Sequence, residues 1–323
     1  MRVTMWRSVK SIAIAMLLAG ASAAQAAWPE RPVVLVVPFA AGGITDLLAR
    51  MTAERLQTAF RQTFIVENQL GAAGVVAADR VARAAPDGYT LLFTPVFQVT
   101  MAPFTHVIKF DPVKDFAPVA IVASSPFVIT VGASVPARTL GEFIAYVKAR
   151  PGQVPFASAG AGSLTHVSSA AFIHSAGLDM IHVPYKGLAP AFTDLLGGQI
   201  AMLSATPVEL KPYLESGKVK PLAVTGGERS PQLPAVPTIA ETLPSPSVVT
   251  YNGLLAPART PGDIIDALSR ELMAAERSPE FLERLSRLGA EPLVNTPADF
   301  ARIITADTVL WRDLVRELGI KAE

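Results

Sequence analysis

A chain of 323 residues, half of them hydrophobic, has enough apolar material for two cores, because single cores seldom outgrow roughly 250–300 residues. Charged residues make up only 17% and the net charge is +1, which leaves no basic field to hold nucleic acid and no acidic tail for a disordered partner. The absence of cysteine excludes disulfides, thiolate metal sites, a cysteine nucleophile and a lipidated N-terminal cysteine.

In chain order, Arg2, Arg7 and Lys10 head the apolar run 11–23, and Ala24-Gln25-Ala26 forms a small-x-small cleavage pattern. The run is shorter than the roughly 20 residues that span a bilayer. Residues 1–26 therefore read as a signal peptide removed on export, the other reading being an uncleaved anchor. The mature chain is expected to be soluble and periplasmic.

Apolar runs and helical patterns then alternate. Residues 33–39 form a continuous β-branched run, expected as a buried strand ending in a glycine turn. Ile44, Leu47, Leu48 and Met51 follow at helical spacing. Residues 64–67 and 89–94 read as strands, with an Ala-rich helix over 74–85 and a Pro86-Asp87-Gly88 turn between them. A second series opens with a strand at 127–131. Thr139-Leu-Gly-Glu142 has the form of a capping box and starts a helix that closes before Pro151. Strands at 156–158, 180–183, 200–203 and 222–224 follow, separated by helices. After Gly226 come a Pro-rich loop, a short strand at 253–256 and a helical tail. The last helix begins at Thr296-Pro297, an N-cap with Pro at N1, and keeps Phe300, Ile304, Trp311 and Leu314 on one face.

This order predicts an α/β protein of two open, Rossmann-like sheets with parallel strands and helical crossovers. Residues 27–125 and 227–323 are expected to form a discontinuous first domain and 126–226 a second. The chain would cross near Ser124-Ser125 and Gly226-Gly227, and a cleft between domains is where small ligands usually bind.

Three glycine turns fall at strand C-termini, the binding edge of open α/β sheets. The first carries Ala41, Gly42, Gly43, Thr45 and Asp46. Its glycines allow close backbone approach, and the following helix presents free N–H groups and its positive dipole end. Asp46 is either a helix-start carboxylate or a ligand contact. The second carries Ser158, Gly160, Gly162, Ser163 and His166. Two helix N-termini facing one cleft make a clamp for a carboxylate, with Ser and Thr hydroxyls as further donors. The third, with Tyr185 and Lys186, adds an aromatic wall and a cation that either faces the ligand or is solvated. No cofactor, metal or catalytic residue is expected. Gly160-Ala-Gly162 lacks the third glycine of a dinucleotide fingerprint, Gly-Lys-Ser/Thr and Gly-x-Ser-x-Gly are absent, and the four histidines lack ligand spacing.

The ordered motifs resemble the Bug receptors, the extracytoplasmic solute receptors of tripartite tricarboxylate transporters. They include Pro38-Phe-x-x-Gly-Gly-x-x-Asp46 with Arg50, Val66-Glu-Asn68, Asp87-Gly-Tyr-Thr-Leu91 and Ser158-x-Gly-x-Gly-Ser163 with His166. Val183-Pro-Tyr-Lys-Gly187, Leu195-x-Gly-Gly-Gln199 and Gly253-Leu-x-Ala-Pro257 continue them, across essentially the whole mature chain. The resemblance implies a type II periplasmic-binding-protein fold. It also implies a carboxylate gripped by the helix-starting loops through backbone amides and bridging water. By position it names Gly43, Thr45, Asp46, Ser158, Gly162, Ser163 and His166. The partners implied are a small carboxylate and integral-membrane permease subunits, with the receptor a monomer. Alternatives are a sensor subunit for a signalling partner or, from another class, a periplasmic enzyme. Two segments depart from the family pattern, Thr94 to Pro103 and Thr206-Pro207. Thr94 and Thr206 would border the distal part of the ligand, and the bulk of Phe97 points to a smaller or more apolar distal group.

Overall fold

The computed structural model describes residues 28–293, 295–317 and 319. The signal-peptide reading of residues 1–26 lies outside them. Strand β1 (Val33–Val37) is followed by helix α1 (Ile44–Phe60), β2 (Phe64–Asn68), α2 (Val75–Ala82) and β3 (Thr90–Pro95). Two four-residue helices, α3 (Phe97–Thr100) and α4 (Ala102–Thr105), lead to β4 (Phe116–Pro126). The same alternation then repeats as β5 (Val128–Gly132), α5 (Leu140–Lys148), β6 (Pro155–Ser158), α6 (Leu164–Ser175), β7 (Ile181–Pro184), α7 (Leu188–Leu196), β8 (Met202–Ala205), α8 (Pro207–Glu215) and β9 (Val219–Val224). The chain ends with β10 (Val249–Pro257), α9 (Gly262–Ala275), α10 (Pro279–Arg287) and α11 (Pro297–Glu317).

The first sheet has the order β2-β1-β3-β10-β4 and the second β7-β6-β8-β5-β9. Strand by strand the two sheets share one plan. β1 pairs in parallel with β2 and β3, as β6 does with β7 and β8. β10 is antiparallel to β3 and β4, as β5 is to β8 and β9. The sheets are thus mixed rather than parallel throughout. The strand that arrives from the other half of the molecule enters each sheet in the opposite direction. Both faces of β1 are covered, since Leu35 and Val37 pack with Leu48 and Leu56 of α1 while Val36 packs with Ala77 and Val81 of α2. That explains an unbroken apolar run in place of an alternating one.

β4 and β5 are separated by Phe127 alone. Thr225 ties the passages between sheets together. Its backbone pairs with Phe127 and Val248, and its hydroxyl accepts from the Phe127 amide at 2.9 Å. The Pro-rich segment stays with the second sheet, because Thr238 bridges Val224 and Ile239 is buried among that sheet's residues. The return therefore comes near Val248, not at Gly226-Gly227. The last helix joins both halves. Phe300 and Ile304 lie in the first core, whereas Trp311, Leu314 and Val315 share a core with Leu164, Val167 and Ala171 of α6. Among the described residues no helix is long and apolar enough to cross a membrane.

Candidate functional site

β1 and β6 hold equivalent places in their sheets, and each ends in a loop of one build. In the first, the Gly43 amide reaches the Ala40 carbonyl at 3.5 Å; in the second, the Ser163 amide reaches that of Gly160 at 3.2 Å. Gly42 and Gly162 take φ of 86° and 71°, a left-handed conformation that strains any residue with a Cβ. Each of these glycines then donates its N–H to the side chain four residues on. Gly42 reaches Asp46 Oδ2 at 2.9 Å and Gly162 reaches His166 Nδ1 at 3.1 Å. The loop is thereby folded back, and the next residues, Gly43 and Ser163, become extended N-caps of α1 and α6. The first-turn amides, at Ile44 and Thr45 and at Leu164 and Thr165, are left at the helix ends without intrahelical acceptors, which makes each end attractive to an anion.

Asp46 supports its loop from behind. It is 1% exposed, and its carboxylate takes Arg50 Nε at 2.9 Å, Arg50 Nη2 at 3.0 Å and Asn68 Nδ2 at 2.9 Å besides the glycine amide. Burial alone would raise its pKa, but the Arg50, Gly42 and Asn68 bonds outweigh it and hold the carboxyl below its ordinary value. Asn68 also bonds the Phe39 carbonyl at 2.8 Å, so one buried carboxylate anchors α1, β2 and the loop.

In the second loop an imidazole takes that place. His166 lies against His182, which in turn lies against Phe156. The Ser158 hydroxyl, fully buried, contacts His182 Nε2 at 2.7 Å and donates to the Gly160 carbonyl at 2.9 Å. The Ser163 hydroxyl donates to the same carbonyl at 2.7 Å and accepts from the His166 amide at 3.3 Å. Burial, with a smaller contribution from His182, lowers the His166 pKa to about 4. The ring is therefore neutral at ordinary pH and free to accept from Gly162.

Two cavities open along the cleft. One, of about 290 Å³, lies between the second loop and the α3–α4 wall, and Gly160, Gly162 and Ser163 line it. The other, of about 320 Å³, is lined by Thr45 from the first half, Thr206 and Glu209 from the second, and Asn252. Ala41, Gly42 and Gly43 are exposed on the first loop and line neither cavity. The two loops thus stand on separate cavities of one cleft.

The remaining expected contacts sit elsewhere. Asp46, Ser158 and His166 are behind the loops rather than on the cavity surface. Thr94 is buried, with its hydroxyl donating to the Pro95 carbonyl at 3.3 Å. Tyr185 packs on the second core with its hydroxyl donating to Asp194 at 2.6 Å, and it lines neither cavity. Lys186 is exposed and lines neither cavity. Sequence reasoning missed Gln98, Met101, Thr105 and His106, which form the wall opposite the second loop, and Asn252, which lines the other cavity. The departure of residues 94–103 from the family pattern was the one signal pointing at that wall.

Comparison with known proteins places the chain in a family. The family model described as "Tripartite tricarboxylate transporter family receptor" matches residues 48–320. Protein BugT of Bordetella pertussis is 35% identical over 327 residues, covering 98% of this chain and 99% of its own. An R. palustris protein solved with adipate superposes with a TM-score of 0.77 at 34% identity, covering 92% of this chain and all of that one. MatC from Rhodopseudomonas palustris, with bound malate, gives 0.73 at 34% identity over 89% of this chain and all of its own. The protein belongs to the tripartite tricarboxylate transporter receptor family.

Proposed function

We propose that the mature protein is a periplasmic receptor that captures a small carboxylate in the cleft and hands it to integral-membrane permease subunits. The observation that carries this reading is the pair of matching loops, each ending a central strand and each presenting the open amides of a long helix. Hydrogen bonds to a charged acceptor contribute about 1.5–3 kcal/mol each. Four or five would reach roughly −8 kcal/mol, near micromolar affinity, after ordering costs. Residues 28–126 with the chain from about Val248 onward form one lobe and 128–243 the other. Closure about Phe127, Thr225 and Val248 would bring the two loops onto one carboxylate. Relatives of this chain solved with adipate and malate support the ligand class.

The test is thermal unfolding of the mature protein with mono-, di- and tricarboxylates beside their amides. A ligand of the native state raises stability as RT ln(1 + [L]/Kd). Acids should raise the melting temperature, amides should not, and the acid should be recovered unchanged. Equal shifts by the amides contradict the reading.

A further inference from the structure

The cavity between the second loop and the α3–α4 wall is two-sided. One side offers backbone amides at the start of α6. The other offers Phe97, Met101 and Ala102, with Gln98 as its polar edge. Among the described residues that line it, none is Lys, Arg, Asp or Glu. A second carboxylate carried into this wall would lose its hydration and meet no Lys, no Arg and no long-helix amide end, which disfavours it.

From this the geometry points to a narrower ligand class, resting on the carboxylate-receptor reading. The receptor takes a monocarboxylate with an apolar or aromatic body, tipped by an uncharged hydrogen-bonding group. The carboxylate faces the amide side, and the body fills the space lined by Phe97 and Met101. At about 290 Å³ the cavity sits at the lower end of small-molecule pockets, enough for one ring and a short acid arm. Gln98 is the group that reads the tip. Its Oε1 is buried without a hydrogen-bond partner and lies against Gly74, whose missing Cβ would stand 1.9 Å from it. A glycine here makes room for the carboxamide. A hydroxyl on the ligand can donate to that amide or accept from it, so either orientation of the carboxamide is served. Thr105 and His106, whose side chains are 2.9 Å apart, complete the rim.

Calorimetric titration of the mature protein with phenylacetate, para-hydroxyphenylacetate, adipate and malate tests this. Both aromatic monoacids should bind at least about tenfold more tightly than either diacid, and the para-hydroxyl should add about a further fivefold. Gln98→Leu should abolish the gain from the hydroxyl, so that phenylacetate and para-hydroxyphenylacetate bind alike. If adipate or malate binds most tightly, the monocarboxylate assignment falls and the carboxylate-receptor reading stands. If none of the four acids binds, the monocarboxylate assignment falls; if their amides bind as well as the acids do, both readings fall. The wild-type panel decides the class even if Gln98→Leu fails to fold.

Discussion

The imidazole of His166 lies flat on that of His182, with ring centroids 3.8 Å apart and planes 3° from parallel. Two protonated rings could not remain so close, and the Gly162 amide needs an unprotonated Nδ1 on His166. His166 has a folded pKa of about 4 against an ordinary 6.5. The unfolded chain therefore binds the extra proton first as pH falls. Stability from this group is fully present above pH 6.5 and declines as pH drops toward 4. Urea midpoints at several pH values should show this slope in the wild type and a flatter one in His166→Gln, whose carboxamide oxygen can still accept from Gly162. Identical slopes would remove the histidine pair as the cause.

Asp46→Ala should be among the most damaging single changes at the first loop. It leaves the Gly42 amide and the Asn68 side chain without their acceptor and frees Arg50. An expected loss of about 1–3 kcal/mol follows from partly buried donors that lose an acceptor and a broken partly buried pair. Asn68→Ala should reproduce part of it. Equilibrium denaturation checks both, and a loss below about 0.5 kcal/mol, the scale of an ordinary surface change, would show that the network does not hold the loop.

Glu276 is 4% exposed, and neither carboxylate oxygen has a hydrogen-bond partner. Burial pushes its pKa up to about 8 from an ordinary 4.5. The native state keeps this proton after the unfolded chain has released its own, so stability falls as pH rises from 4.5 to 8. Glu276→Gln should remove that part of the pH dependence and raise the melting temperature at pH 8. No gain at pH 8 would contradict the buried-acid assignment.

Trp311, 2% exposed, stands where the last helix meets both halves, packed with Met101 on one side and Leu164 and Val167 on the other. Trp311→Ala should cost about 3–5 kcal/mol. In Trp28→Phe protein, whose other described tryptophan is Trp311, ligand should change the emission of that ring as the lobes move. An emission spectrum indifferent to a saturating ligand would argue against closure around this helix.

Sequence patterns exposed the two loops because each is local, a strand, glycines and a capped helix within about a dozen residues. What holds the loops was not legible in the same way. Asn68 lies 22 residues from Asp46 and His182 lies 24 from Ser158, so only the parallel pairing of β1 with β2 and β6 with β7 brings them together. β4 escaped notice because Pro118 interrupts its apolar run, and its partner β10 lies more than a hundred residues on. Tyr185 looked available from its turn, but Asp194, one helix later, fixes its hydroxyl. The α3–α4 wall has no regular hydrophobic period and contains Pro103, so nothing local marked it as cavity-forming.

In the closed receptor both loops should grip one carboxylate. Amide chemical shifts of isotope-labelled mature protein, followed while a binding acid is titrated in, test it most directly. Ile44 and Thr45 should shift together with Leu164 and Thr165, along one binding curve and at one Kd. Shifts confined to a single loop, or a matching response to the acid's amide, would contradict it.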